Sequence, residues 1–310
     1  MKLAVIIPCL NEERTIAEMI PRIPRPEGIR SVSICVIDDG STDNTAVRAR
    51  QAGAHVIRHH INKGVGAAFK TGIDWALEQK ADIIVNMDGD GQFQPETIPD
   101  LIKPIMDHRA EFVTCTRFRN GRPKGMPLIK RVGNRIFTNL INYLTGKRFT
   151  DTQCGFRAYT RETVLRMTTF GKFTYTQEVF LDLAHKGTRM TEVALPVRGQ
   201  RQHGKSKVVK GVVPYSVQAI KIIMRTFRDY RPLTFFGMPG ALIMVMGLGV
   251  GLGSFAFWAL YGMTSPVRTY ITISVFFMLL GLLLITLAVL ADMLDRIRMN
   301  QEEILYRLRK

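Results

Sequence analysis

Two acidic pairs stand directly after apolar, strand-like runs: Asp38-Asp39 after Val32–Ile37, and Asp88-Gly89-Asp90 after Ile83–Met87. The first leads into Gly40-Ser41-Thr42-Asp43-Asn44-Thr45, which equally suits a turn and a helix N-cap, so by itself it does not separate chemistry from capping. The second is more specific. Two carboxylates flanking a glycine can approach a hard cation closely, and oxygen donors with partial protein coverage suit Mg2+ or Mn2+ bridging a diphosphate. A diphosphate leaving group gathers negative charge as its bond breaks, and such an ion neutralises it.

A second chemistry follows further along the chain. From Arg117 to Arg135 there are seven basic residues, Arg117, Arg119, Arg122, Lys124, Lys130, Arg131 and Arg135, and no acidic one. A solvated basic face is one reading; the other is a phosphate site, since arginine makes forked contacts with phosphate oxygens. Asp151, opening Asp-Thr-Gln-Cys-Gly-Phe-Arg, is a candidate catalytic carboxylate that orients a nucleophile or takes its proton, and equally a carboxylate paired to an arginine. A phosphate monoester acceptor has little need of a base, because its second pKa near 6 leaves much of it dianionic at pH 7. The glycine-bearing stretch Arg198 to Lys207 reads as a loop able to close on a diphosphate, and His203 within it has no acid, base or metal partner in view.

These residues need a scaffold. Through about residue 120 apolar runs alternate with helical patterns: Leu3–Ile7, Glu12–Ile20, Val32–Ile37, Asn44–Ala52, His55–Ile57, Gly66–Leu77, Ile83–Met87 and Phe112–Thr116. The alternation predicts an α/β domain with a mostly parallel sheet and helices on both faces, whose ligands bind at the carboxyl ends of the strands. Both acidic pairs fall at such ends.

No residue from 232 to 267 is charged, nor any from 269 to 291, with Arg268 alone between, and each run exceeds the roughly 20 residues that cross a bilayer as a helix. Two transmembrane helices are expected, at about 234–260 and 269–291, the first rich in glycine for close packing. Lys221, Arg225, Arg228 and Arg231 precede them and Arg296, Arg298, Arg307, Arg309 and Lys310 follow, which by the positive-inside rule places both termini in the cytoplasm. Residues 211–231 mix apolar and basic side chains as an interfacial amphipathic helix would, and would set the crevice beside the bilayer. The expected organisation is a catalytic domain over 1–210, the interfacial region over 211–231, the two spans within 232–292 and a cytoplasmic tail over 293–310.

Several of these segments together resemble a known family. Val5-Ile6-Ile7-Pro8-Cys9-Leu10-Asn11-Glu12-Glu13, Val36 to Ser41, Asn62-Lys63-Gly64 with Ala67 to Gly72, Asp88-Gly89-Asp90, and Asp151 to Arg157 look like a family-two inverting glycosyltransferase. The nearest kin by this likeness are the dolichyl- and undecaprenyl-phosphate sugar transferases, and the likeness covers about residues 1 to 210. It implies a GT-A (Rossmann-like) fold and transfer of one hexose-type sugar from a nucleotide-diphosphate sugar to a polyprenyl phosphate. It further implies that Pro8, Asn11, Glu12 and Asp39 line the nucleotide pocket and that Asp88 approaches ribose and diphosphate. Asp88, Asp90 and Gln92 would hold the metal, with Asp90 counted as catalytic beside Asp151. Arg201, Lys205 and Ser206 would close on the donor, Arg117 and Arg131 would bind the acceptor phosphate, and Glu178 matches an acidic position of the family. Processive synthases of the family carry a QxxRW motif; the only tryptophans here, Trp75 and Trp258, lie outside any such motif, which favours single-sugar transfer.

Composition bounds the alternatives. The 310 residues are 46% apolar, and 43 Lys plus Arg against 26 Asp plus Glu give a net charge of +17 that calls for anionic partners. A nucleic-acid-binding membrane protein would interleave aromatics with its cations, but the basic run holds only Phe118, so no nucleic acid partner is expected. A transferase acting on another lipid acceptor, such as a diacylglycerol, would not need the phosphate site. A dinucleotide oxidoreductase is excluded because Gly64-Val65-Gly66 is not continued as GxGxxG after a strand. The four cysteines are widely spaced in strand-like runs, which fits a reducing compartment, and the N-terminal apolar run is too short for a signal peptide. A homo-oligomer is compatible with all of these features.

Overall fold

The computed structural model describes residues 1–118, 128–167, 175–198, 224–225, 227–263, 265 and 267–310, with the backbone alone at 128–130, 175–178 and 309. Two compact units form, Met1–Val212 with Arg309–Lys310, and Val213–Leu308.

In the first unit the strands are β1 (Lys2–Cys9), β2 (Ser31–Asp38), β3 (His55–Arg58), β4 (Ile83–Asn86), β5 (Phe112–Thr116), β6 (Arg157–Thr160) and β7 (Met190–Ala194). The helices are α1 (Glu13–Met19), α2 (Thr45–Gln51), α3 (Val65–Glu78), α4 (Ile98–Met106), α5 (Leu128–Thr145), α6 (Arg161–Arg166) and α7 (Tyr175–His185). One sheet runs in the order β3-β2-β1-β4-β6-β5-β7. β1 is buried at every position after Lys2 and β4 and β5 throughout, so their sequences read as unbroken apolar runs, as strands covered on both faces do. Each fully buried Ile, Leu or Val there contributes roughly 1.5–3 kcal/mol.

Every element expected through residue 116 forms. α4 was not anticipated: its buried Ile98, Leu101, Ile102 and Ile105 keep helical spacing, but Pro99 and Pro104 obscure it. Proline is tolerated in the first turn, where its missing N–H has no partner to lose. Among the named strands of the described residues, the departure from parallel pairing is β6, antiparallel to both β4 and β5.

That inserted strand decides where the chemistry gathers. β1, β2 and β4 run parallel, with Cys9 opposite Asp38 and Ile6 opposite Asn86, so their carboxyl ends share one edge. β5 points the same way, being antiparallel to β6, and ends at Thr116 immediately before Arg117. β6 runs the other way and begins opposite Asn86, so residues 151–156, which lead into it, arrive at that same edge.

The second unit contains two helices long and apolar enough to cross a membrane. Met238–Tyr261 follows a π-helical turn at Leu233–Gly237 and ends on a left-handed cap at Gly262, and Val267–Arg309 forms the second helix. Gly240, Gly247 and Gly251 meet the second helix at Leu284, Met278 and Ser274, and the Ser274 hydroxyl donates to the Gly247 carbonyl at 2.6 Å. The second helix does not stop at the first charges past residue 291. Ion pairs one turn apart, Asp292–Arg296, Asp295–Arg298, Glu302–Arg298 and Glu303–Arg307, carry it through the expected tail to Arg309. Of the expected interfacial region, residues 211–223 lie outside the described residues; at its end Arg225 and Arg228 pair with Asp229, and the Arg298 guanidinium lies 5.3 Å from the Tyr230 ring.

Candidate active site

The loops after β1 and β2 are laced together. The Asn11 amide oxygen accepts from the backbone N–H of Thr42 at 2.7 Å, the Asn11 N–H donates to the Ser41 hydroxyl at 2.8 Å, and the Glu12 N–H to the Thr45 hydroxyl at 2.8 Å. Asn11 takes a left-handed φ of 55°, a conformation asparagine tolerates at functional turns. Pro8 is buried in β1 beyond the last β1–β4 pair, where its missing N–H costs least. Asp39, 4% exposed, accepts from the N–H groups of Lys63 and Gly64 at 2.9 and 2.8 Å and meets His59 Nδ1 at 2.7 Å. The other His59 nitrogen meets the Thr71 hydroxyl at 3.0 Å, so Asp39 is a fixed acceptor at the crevice wall. Gly40 has φ 78°, and a Cβ there would come within 2.8 Å of the backbone at Ile61 and Asn62. This explains why the turn after the first acidic pair needs glycine.

Asp90 is buried, and its carboxylate accepts from the Gln92 N–H at 3.1 Å; Asp88 is half-buried. The Gln92 side chain donates to the Arg198 carbonyl at 3.1 Å, Arg198 N–H returns to the Gln92 carbonyl at 2.9 Å, and Phe93 bridges to Val197. The segment after the second acidic pair therefore holds the start of the basic loop. Among the described residues no three His, Cys, Asp or Glu side chains converge as a self-sufficient metal cage. Asp88, Asp90 and the Gln92 amide oxygen nevertheless supply the hard donors a Mg2+ or Mn2+ would share with a diphosphate. Burial first, and then the charges of Glu12, Asp38, Asp88 and Asp90, push the Cys9 thiol well up.

The other half of the edge is built around Asp151, which is fully buried. Its carboxylate accepts from Arg117 Nε at 2.6 Å, Arg117 Nη2 at 3.0 Å, Arg117 backbone N–H at 3.3 Å, Asn134 Nδ2 at 3.1 Å and Gln153 N–H at 3.2 Å. Burial acts to lower the Arg117 pKa, but the Asp151 charge and the fork outweigh it, and the guanidinium is held above its ordinary value. Of the two readings of Asp151, the geometry is that of the arginine-paired carboxylate, with its lone pairs taken up by five N–H donors. Arg131 is half-buried on α5, one turn before Asn134 on the same face.

Sequence reasoning missed the residues that join the two halves. Asn86, at the end of β4, donates to the Gly155 carbonyl at 2.8 Å, and a Cβ on Gly155 would lie 2.5 Å from Asp88 Oδ2. Gly155 thus seats the 151–156 loop against Asp88. Strand-end logic would have found Asn86 and His59, but no local pattern marks Asn134. Arg119, Arg122, Lys124, Arg201, Lys205, Ser206 and the Glu178 side chain lie outside the described residues.

The sequence model of glycosyl transferase family 2 matches residues 4–166. An uncharacterized protein of Methanocaldococcus jannaschii is 39% identical over 160 residues, covering 51% of this chain, which spans 64% of that relative's length. A UDP-N-acetylglucosamine–dolichyl-phosphate N-acetylglucosaminyltransferase of Methanococcus voltae is 34% identical over 51% of this chain and 68% of its own. A dodecaprenyl-phosphate galacturonate synthase of Rhizobium johnstonii is 25% identical over 96% of this chain and 88% of its own. The fold also matches glucosyl-3-phosphoglycerate synthase from Mycobacterium tuberculosis, solved with Mn2+, uridine diphosphate and phosphoglyceric acid, at TM-score 0.56 and 22% identity over 74% of this chain and 78% of that one. A GT-A sheet with this acidic crevice at its strand ends, and a sequence match over the same residues, make the chain a glycosyltransferase belonging to family 2.

Proposed function

We propose that the protein transfers a single hexose-type sugar from a nucleotide-diphosphate sugar to a polyprenyl phosphate, with inversion, at the cytoplasmic face of a membrane. The observation that carries this reading is the Asp151 cluster. Its carboxylate, fully buried and saturated by N–H donors, is poorly placed to take a proton, so the acceptor should arrive already ionised. A phosphate monoester does, whereas the hydroxyl of a diacylglycerol does not.

In this reading the nucleotide lies along the loops of Asn11, Glu12 and Asp39, with Pro8 shaping the strand beneath, and Arg201, Lys205 and Ser206 close over the diphosphate. Asp88, Asp90 and Gln92 would hold Mg2+ or Mn2+, which when bound would supply neutralisation of the charge growing on the leaving group. Arg117 and Arg131 bind the acceptor phosphate and aim one oxygen at the anomeric carbon from the side opposite the diphosphate. The new C–O bond forms as the bond to the diphosphate breaks, and the nucleoside diphosphate leaves with the electron pair. No proton transfer is required. Asp151 contributes by holding Arg117. The two apolar helices anchor the enzyme where a polyprenyl tail resides, and the flanking basic residues support cytoplasmic termini.

The test is to supply membranes containing the protein with labelled nucleotide-sugars and, in turn, polyprenyl phosphate, polyprenol and diacylglycerol. Product is expected with the phosphate alone, in the anomeric configuration opposite to the donor's and only with a divalent ion present. Equal transfer to either hydroxyl lipid overturns the acceptor assignment, and full turnover in chelator overturns the metal.

A further inference from the structure

We infer that Asn134 is a positioning residue for the acceptor site: its side-chain amide ties α5 to Asp151 and so fixes Arg131 relative to Arg117. This rests on the acceptor reading proposed above. Asn134 is only 3% exposed in the interior of a helix, where asparagine is a mediocre helix former and a buried amide is costly unless both of its ends are bonded. Both ends are. Nδ2 donates to Asp151 Oδ1 at 3.1 Å, and Oδ1 accepts from the Thr138 hydroxyl at 3.4 Å. The carboxylate can only accept and the hydroxyl can donate, so the orientation of the amide follows from its neighbours.

Thr138, one turn further along α5, also meets the Thr152 hydroxyl at 3.1 Å and accepts from the Thr152 N–H at 3.3 Å. Two successive turns of one helix face are therefore fastened to residues 151–152. The next turn back on that face carries Arg131. Asp151 thus acts as a hub, gripping Arg117 from the end of β5 and anchoring, through Asn134, the helix that presents Arg131. Two arginines that must clasp one phosphate gain from being fixed beforehand, because a misplacement of about 1 Å can cost on the order of a hundredfold. Removing the amide leaves Asp151 with Arg117 and Gln153, so the loop keeps its main bonds, and α5 loses its bond to Asp151 while Thr138 still meets Thr152.

The experiment is a pair of titrations on the full chain in phospholipid vesicles, with undecaprenyl phosphate as acceptor probe and the nucleotide-sugar that gives turnover as donor. The variants are Asn134→Ala, Thr138→Val, Arg117→Ala, Arg131→Ala and the Asn134→Ala/Arg117→Ala double. Asn134→Ala should raise the acceptor KM about tenfold while donor KM stays within about twofold. In the double variant it should add less than about threefold to Arg117→Ala, since it acts through the geometry of the pair. Thr138→Val, nearly isosteric, should raise the acceptor KM about threefold and serves if the alanine variant does not fold. An unchanged acceptor KM in Asn134→Ala or Thr138→Val, while Arg117→Ala and Arg131→Ala raise it, overturns the positioning role and leaves the acceptor reading standing. Equal rises in donor and acceptor KM with a lowered Tm show a merely structural residue and also overturn it. If neither arginine variant alters acceptor KM, the acceptor reading fails and the role of Asn134 falls with it.

Discussion

The two halves of the crevice hold their charges in opposite ways. On the side of β1, β2 and β4, Glu12, Asp38, Asp88 and Asp90 gather near Cys9 and, after burial, push its thiol up, and Arg58 Nε lies 3.3 Å from Asp38. On the side of β5 and α5 the buried carboxylate is paired, Asp151 with Arg117 at 2.6 Å. A gathering of several carboxylates favours a cation beside it, whereas one carboxylate locked in a fork fixes the position of its partner. In the function proposed above, the first half would recruit a metal with its diphosphate and the second would present arginines at fixed positions.

Breaking the half built on the Asp151–Arg117 pair should show most in stability. Asp151→Ala strands a guanidinium that is only partly solvated, at a cost of about 3 kcal/mol. This should lower Tm by roughly 6–12 °C in a thermal scan of the detergent-solubilised protein. A Tm within about 2 °C of wild type would mean the pair is not the structural hub described here.

Asp90→Ala should do the reverse. Turnover should fall on the order of a hundredfold or more with excess Mg2+, while Tm falls less than in Asp151→Ala, the Gln92 N–H bond being a smaller loss than a buried ion pair. Retained turnover, or loss of acceptor binding in place of metal dependence, would erase the distinction between the halves.

Gly155→Ala probes the seam between them. Its Cβ would sit 2.5 Å from Asp88 Oδ2, so the carboxylate must move. A fall in turnover of about tenfold is expected, partly restored by raising Mn2+ concentration, from the sensitivity of metal sites to ligand placement. An alanine variant with normal metal dependence would show that Asp88 has room to shift.

The smallest effect should come from a carboxylate in neither half. Glu111 is held below the usual carboxylate range, first by the Arg189 backbone N–H and then by its side chain, against a partial burial that acts the other way. Its folded pKa is depressed, so its stabilisation is present above the ordinary carboxylate pKa and is lost as pH falls through the lower folded value. Glu111→Gln should therefore cost only about 0.5 kcal/mol near neutral pH and nothing in strong acid, as read from denaturant midpoints at several pH values.

The same contrast separates what was legible in the sequence from what was not. Asp38-Asp39 and Asp88-Gly89-Asp90 could be read because each follows an apolar run, and parallel strands deliver their carboxyl ends to one edge. The membrane-length helices could be read because uncharged length is a property of the chain itself. Local sequence did not give the antiparallel insertion of β6, which brings Asp151 and Gly155 to that edge. Nor did it give the partner of Asp151: Arg117 is 34 residues away and Asn134 is 17, and a carboxylate free to act as base has the same sequence as one locked in a fork. Composition and periodicity specify which residues are buried and which strands form, because burial and hydrogen bonding act over a few residues at a time. Which buried polar groups satisfy one another is decided only when the sheet order is set, because each must find its partner within about 3 Å of where the backbone leaves it.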